Sequence, residues 1–219
     1  MDIYEIFKGG KYIQTEKNYC KVAGILLSVG CIQFLLAVNF AQTQFPGYSS
    51  TKDTLSTLGG SVPLVEPSAM VFNLSVMIFG ILILIAAYLI LKSGGARIFS
   101  VLLAISAAGA IGLGLFPQYT GDTHSFFALV VFLFGSLATI FSYRLGLNKP
   151  LVVISLVLGV PALILLLLVV IFRFGGLINP LEIYLGVGGN ERFITFPPIL
   201  YLIALGGYLT SKGRGLELK

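Results

Sequence analysis

The chain has 219 residues, of which 57% are hydrophobic and only 11% charged, with a formal net charge of +5. Soluble domains carry about 25% charged and about 45–50% apolar residues, so a soluble globular fold is excluded. Disorder is excluded as well, because it needs low hydrophobicity and high charge, and the length leaves no room for a second sizeable domain.

Residues 1–21 come first, as a cytoplasmic or interfacial N-terminal segment. Ile3, Ile6 and Phe7 recur at helical spacing among lysines. A short helix lying in the membrane interface and a solvated tail that sets topology both fit this stretch.

A helix needs about 20 apolar residues to cross a hydrocarbon core about 30 Å thick. Windows at 22–41, 69–91, 97–116, 124–143, 150–172 and 193–210 meet that need. They predict an all-α, polytopic integral membrane bundle of six transmembrane helices over 22–210. The runs 81–87 and 162–171 lack the alternation of barrel strands. The first window is longer than a signal-peptide core and has no clear small-x-small site after it, so it reads as a retained helix. On the third window Ala104, Ala108 and Gly112 fall every fourth residue, the spacing of close helix contacts. Pro161 predicts a kink in the fifth. Pro197 and Pro198 fall in the first turns of the sixth, where the leading N–H groups lack partners anyway.

Orientation follows from Lys and Arg. With the N-terminus inside, 11 of the 14 basic residues fall on the inner side. The outer side holds Lys52, Arg173 and Arg192. Both termini, including the tail 211–219, are therefore expected in the cytoplasm, and the chain in the cell membrane as a multi-pass protein. The positive charge is a topology signal rather than a nucleic-acid footprint, since no basic patch is interleaved with aromatics.

The outer loops are 42–68, 117–123 and 173–192. Phe45-Pro46-Gly47-Tyr48 in the first resembles Phe116-Pro117-Gln118-Tyr119 in the second, each followed by an Asp-Thr pair. A duplicated hairpin and the ordinary fondness of Tyr and Pro for interfaces both account for it.

Much chemistry is absent. The single histidine, His124, cannot build a zinc cluster or supply two haem ligands, and no metal or cofactor is expected. Cys20 and Cys31 lie eleven residues apart on one helix, about 16 Å at 1.5 Å per residue, so both are expected as free thiols. Gly186-Val187-Gly188-Gly189 lacks the Gly-Lys-Ser/Thr ending of a phosphate loop. No ionisable residue lies near the centre of any window, which disfavours a channel or secondary transporter and leaves open a path for a neutral substrate.

Polar residues gather instead on the outer side. His124, Asp122, Asp53 and Ser56 form a candidate catalytic group, and Arg192, Lys52 and Asn190 a candidate lipid-headgroup site. Each has a structural reading beside the chemical one. His124 serves equally as a hydrogen-bonded anchor for the first loop. Asp53 and Asp122 serve as helix caps, Asp122 standing just before the fourth helix. Arg192 serves as a headgroup anchor or pairs with Glu191.

Three stretches carry a resemblance. The first is Tyr48-Ser49-Ser50-Thr51-Lys52-Asp53-Thr54-Leu55-Ser56-Thr57-Leu58-Gly59, followed by Val71-Phe72-Asn73 and Gly80. The second is Gly114-Leu115-Phe116-Pro117 with His124 and Ala128, and the third is Gly189-Asn190-Glu191-Arg192-Phe193. In this order they resemble an uncharacterised membrane family of archaea and bacteria, domain-of-unknown-function family number 998. That family's pattern often has Asn in place of Asp53 and an acid in place of Thr57. The first loop is also similar to Frag-type membrane proteins, some of which remodel lipid anchors, and this similarity implies a lipid substrate. Two functions stand: a lipid-binding or lipid-remodelling protein with an outer-face site, and a non-catalytic subunit of a larger membrane complex. The expected partners are membrane lipids or partner subunits.

Overall fold

The computed structural model describes residues 3–212, with side chains from Asn18 onward. Among these every regular element is helical: α1 (Ile3–Thr43), α2 (Thr57–Gly60), α3 (Ser68–Lys92), α4 (Arg97–Leu115), α5 (Asp122–Phe141), α6 (Lys149–Phe174) and α7 (Pro180–Lys212). Six of them, all but α2, are long and apolar enough to cross a membrane. The side chains of Ile3, Ile6 and Phe7 lie outside the described set, but their backbone is helical and continuous with the first span.

Apolar periodicity explains the packing. On α1 the buried positions are Ala23, Leu27, Cys31, Phe34, Val38 and Ala41. Val22, Ile25, Val29, Ile32, Leu36 and Phe40 occupy the opposite, exposed face. Both sets advance by three or four residues, one helical face each. An apolar exposed face is what a hydrocarbon solvent selects, and a helix satisfies its own backbone there. Cys20 and Cys31 are both free.

Each spanning helix packs on its neighbours in the chain, and α7 returns to pack on α1, which closes a ring. Contact between α5 and α7 across the ring leaves α6 on the periphery. Glycines permit the closest approaches. A Cβ added at Gly24 would lie 2.5 Å from the Gly206 carbonyl, and one at Gly80 would lie 2.7 Å from the Ala107 carbonyl. The small-residue stripe expected on α4 is only partly used: Gly112 meets the Phe127 ring, whereas Ala108 is exposed. Gly109 and Gly112 make the contact with α5 instead.

The two ends of the bundle differ. Lys92, Arg97, Arg144, Lys149 and Lys212 lie at the basic end. The connections 44–67, 117–121 and 175–179 lie at the loop end. Tyr48 turns its hydroxyl onto the Thr54 carbonyl at 2.8 Å, while Tyr119 is 54% exposed, so the two similar loop sequences do different work. The long connection folds back into the bundle through α2. Leu55 and Leu58 are buried, Ser68 donates to the Leu58 carbonyl at 3.0 Å, and Asn73 donates to that of Gly59 at 2.9 Å.

The last helix begins earlier than the window at 193. Residues 180–185 are already helical, Gly186 breaks the run at φ 68° and ψ 168°, and helix resumes behind it. Pro197 and Pro198 therefore lie inside the helix rather than in its first turns. Only glycine adopts this backbone readily, and a Cβ there would collide with the Thr51 carbonyl oxygen. The Gly188 N–H donates to that same oxygen at 3.0 Å. The glycine-rich stretch thus docks the first loop onto α7. α6 runs through Pro161 as one helix, started by Asn148, whose side chain accepts from the Leu151 N–H at 3.1 Å.

Candidate functional site

A polar chain crosses the loop end, and it begins on α5. The connection 117–121 turns α4 into α5 and sets His124 in the first turn of α5, where it is buried. Its Nδ1 lies 2.8 Å from the Phe116 carbonyl oxygen and its Nε2 lies 3.0 Å from Ser56 Oγ. Ser56 stands just before α2 and is buried as well. Its hydroxyl also lies 3.1 Å from Glu191 Oε1 on α7. The other oxygen of that carboxyl accepts from the Leu55 N–H. One chain of hydrogen bonds therefore ties α4, α5, the first loop and α7 together.

Beneath it lies a cavity of about 60 Å³. A space of this size takes about four to six water-sized groups, at about 10–15 Å³ each. Ser56 and Glu191 stand at its head. Phe34, Phe72, Val76, Leu113, Ile194 and Leu202 are among its walls, drawn from α1, α3, α4 and α7, with Val131 and Ser136 from α5. From Glu191 to Leu202 along α7 is about 16 Å at 1.5 Å per residue. That is roughly half the depth of a bilayer core about 30 Å thick. The walls are mainly apolar and suit apolar groups, with Ser106, Ser136 and Thr195 as polar side chains beside Ser56 and Glu191.

Arg192 faces the first loop instead. Its Nη1 donates to the carbonyls of Ser50 at 2.8 Å, Asp53 at 3.1 Å and Gly188 at 2.8 Å, and its Nη2 donates to the Tyr48 hydroxyl at 2.5 Å. Its guanidinium also lies 5.5 Å from the centre of the Tyr48 ring. Burial pushes the Tyr48 phenol up from its usual range, and the Arg192 charge partly offsets this. Adjacent helix positions point in different directions, so Glu191 and Arg192 act on different partners.

Of the residues singled out in the sequence, His124 and Ser56 come together. Arg192 reaches the Asp53 backbone rather than its carboxylate. That carboxylate accepts from the Ser49 N–H at 2.7 Å and closes a loop turn; it caps no helix. Asp122 is the first residue of α5 and exposed, and Gly121 holds the cap position without a side-chain bond. Lys52 is exposed. Asn190 is 2% exposed, and neither polar atom of its side chain has a hydrogen-bond partner. Glu191 and Tyr48 complete the arrangement without having been singled out. Glu191 shares a helical face with Ile194, Pro198 and Leu202, all on the cavity wall, and this phase is legible once the helix is started before 193. Among the described residues no group of three or more His, Cys, Asp or Glu side chains is placed to hold a metal ion.

Neither the curated proteins nor the solved structures contain a match to the chain. Residues 28–208 match a family described as protein of unknown function DUF998, and since this is most of the chain, the protein belongs to that family.

Proposed function

We propose that the loop end faces the outside of the cell and that the site there binds a membrane lipid and acts on its ester bond. The observation that carries this reading is the pairing of Ser56 with His124 at the head of an apolar cavity. Nucleophilic catalysis needs a hydroxyl, a base within about 2.6–3.2 Å, and a third group that orients the base. Ser56, His124 and the Phe116 carbonyl fill these roles at 3.0 Å and 2.8 Å. An acyl chain enters the cavity and its ester carbonyl stands at Ser56. The Ser56 oxygen bonds to the carbonyl carbon while its proton passes to Nε2 of His124. The C–O bond to the alcohol breaks, and Nε2 returns the proton to the departing oxygen. Water then hydrolyses the acyl-serine and restores Ser56. Arg192, the residue after Glu191, adds a positive charge on the first-loop side of the site, suited to an acidic headgroup.

A lipid-tailed fluorophosphonate tests the reading on the full-length protein in lipid nanodiscs. Covalent labelling at Ser56, found by peptide mapping and lost in Ser56→Ala and His124→Ala, supports it. A protein that stays folded, stays unlabelled and turns over no ester overturns it.

The second reading, a non-catalytic subunit, draws support from a different surface. Phe174, Leu177, Ile178, Ile183 and Tyr184 are all more than 60% exposed around the 175–179 connection, an apolar edge that another chain would cover. Crosslinking from Tyr184 in native membranes to one defined partner favours it, and crosslinking only to lipid opposes it.

A further inference from the structure

At the loop end the hydrogen-bonded atoms run in order from the Phe116 carbonyl through both ring nitrogens of His124, Ser56 Oγ and both oxygens of Glu191 to the Leu55 N–H. Both ends are fixed by chemistry. A carbonyl oxygen only accepts, so Nδ1 of His124 carries a proton. A backbone N–H only donates, so Oε2 of Glu191 is the accepting oxygen there, and a carboxyl proton that is to bond Ser56 sits on Oε1. Two gaps remain, Nε2 to Oγ at 3.0 Å and Oγ to Oε1 at 3.1 Å. Each gap needs one proton to be a hydrogen bond. Ser56 owns a single hydroxyl proton and fills only one. The other proton sits on Nε2 or on Oε1.

We infer that His124 and Glu191 hold one titratable proton between them and exchange it through the Ser56 hydroxyl. In the first arrangement Glu191 is protonated and donates to Ser56, which donates to a neutral His124. In the second an imidazolium donates to Ser56, which donates to the Glu191 carboxylate. To pass from first to second, the Oε1–H bond breaks as a new Oγ–H bond forms. The old Oγ–H bond breaks as Nε2–H forms. No charge enters or leaves the unit. Removing the proton leaves two acceptors facing each other. Adding one deprives the Ser56 hydroxyl proton of both partners. Either change leaves a buried polar atom unsatisfied.

The neighbouring charges are already committed or exposed. On α7 the guanidinium of Arg192 is taken up by backbone carbonyls and Tyr48. In the first loop the carboxylate of Asp53 turns to the Ser49 N–H and Lys52 is exposed. Asp122, on the helix of His124, is exposed. The cavity walls supplied by α1, α3, α4 and α5 carry no ionisable side chain.

The proton's position decides whether Ser56 is armed. In the first arrangement its hydroxyl proton points at a base free to take it. In the second it points at Glu191, and His124 is already loaded. This consequence rests on the ester-cleaving reading, whereas the shared proton stands without it.

The chain has one histidine, so nitrogen-15 histidine labelling of the full-length protein in nanodiscs at pH 7 reports His124 alone by NMR. Infrared difference spectra between wild type and Glu191→Gln report a protonated carboxyl. The amide introduced by Glu191→Gln imitates the protonated acid, donating to Ser56 and accepting from Leu55. The inference expects one of two paired results: a neutral ring with a protonated-carboxyl band that Glu191→Gln removes, or an imidazolium that Glu191→Gln makes neutral. A neutral ring with an ionised carboxyl, an imidazolium that persists in Glu191→Gln, or protons on both groups overturns it. Ser56→Ala serves as a second variant should Glu191→Gln fail to fold. With the relay cut, the ring is expected to titrate differently from wild type, and an unchanged titration overturns the inference. These spectra are independent of ester turnover, so a silent assay with the paired spectra rejects only the catalytic reading.

Discussion

Two polar clusters tie the bundle together, one toward each end, and they differ in the groups that hold their protons. At the basic end the Ser142 hydroxyl lies 2.7 Å from the Thr139 carbonyl and 2.5 Å from the Tyr201 hydroxyl, which also bonds Ser155. All three side chains carry hydroxyls and are fully buried. At the loop end the Ser56 hydroxyl stands between an imidazole at 3.0 Å and a carboxyl at 3.1 Å, with a cavity beside it. A buried cluster of hydroxyls works as a fastener. One that joins a base to an acid holds groups that can exchange a proton near neutral pH.

The sharpest way to break this comparison is His124→Gln. Ester turnover is expected to fall about 10²–10⁴-fold, the usual worth of a general base, while Tyr201→Phe leaves turnover unchanged. An ester-release assay on both variants decides it, and equal losses would erase the distinction between the clusters.

Gly186→Ala should have the next largest effect. The backbone there lies in a region nearly reserved for glycine, a strain of about 1–3 kcal/mol for other residues, and the new Cβ meets the Thr51 carbonyl as well. A stability loss above about 3 kcal/mol is expected from thermal unfolding in micelles, with the first loop released from α7. Arg192→Ala removes charged donors from three carbonyls and Tyr48. Because Arg192 is half-buried, solvent screening holds the loss to about 2 kcal/mol, visible also as faster proteolysis within 48–54.

Tyr201→Phe sharpens the fastener side. Ser142 keeps its bond to Thr139, and the bonds of the Tyr201 hydroxyl to Ser142 and Ser155 are lost, at about 0.5–1.5 kcal/mol each. The smallest effect concerns alkaline pH. Tyr48 is raised above its usual pKa in the folded protein. Above about pH 10 the unfolded chain gives up this proton while the folded one retains it, so the folded state binds more protons and stability falls as pH rises. Tyr48→Phe should flatten that fall in melts between pH 8 and 11; an equally steep fall would show that other groups cause it.

The spans were legible because a membrane helix is a local property. Twenty apolar residues in a row suffice, whatever they touch, and four of the six windows agree with both helix ends to within a few residues, while α1 starts at Ile3, well before the first window. The sixth went astray at Gly186 to Arg192, where glycines and charges look like loop. Gly186 does break the helix there, but helix resumes behind it, because Gly188 and Arg192 bond the first loop. The late start hid the phase of Glu191. Ser56 and His124 were visible as polar residues on one side of the membrane, but so were Asp53 and Asp122, which close a turn and stand exposed.

Composition and periodicity by themselves determined the all-helical class, the number of spans and the unpaired cysteines, and three short motif stretches pointed to the family that residues 28–208 match. Each of these depends on near neighbours in the chain or on counts. Only the tertiary structure decided which of the outer polar residues meet. Ser56 and His124 are 68 residues apart, and Ser56 and Glu191 are 135 apart. The ring of helices brings them together, and no local pattern encodes that closure.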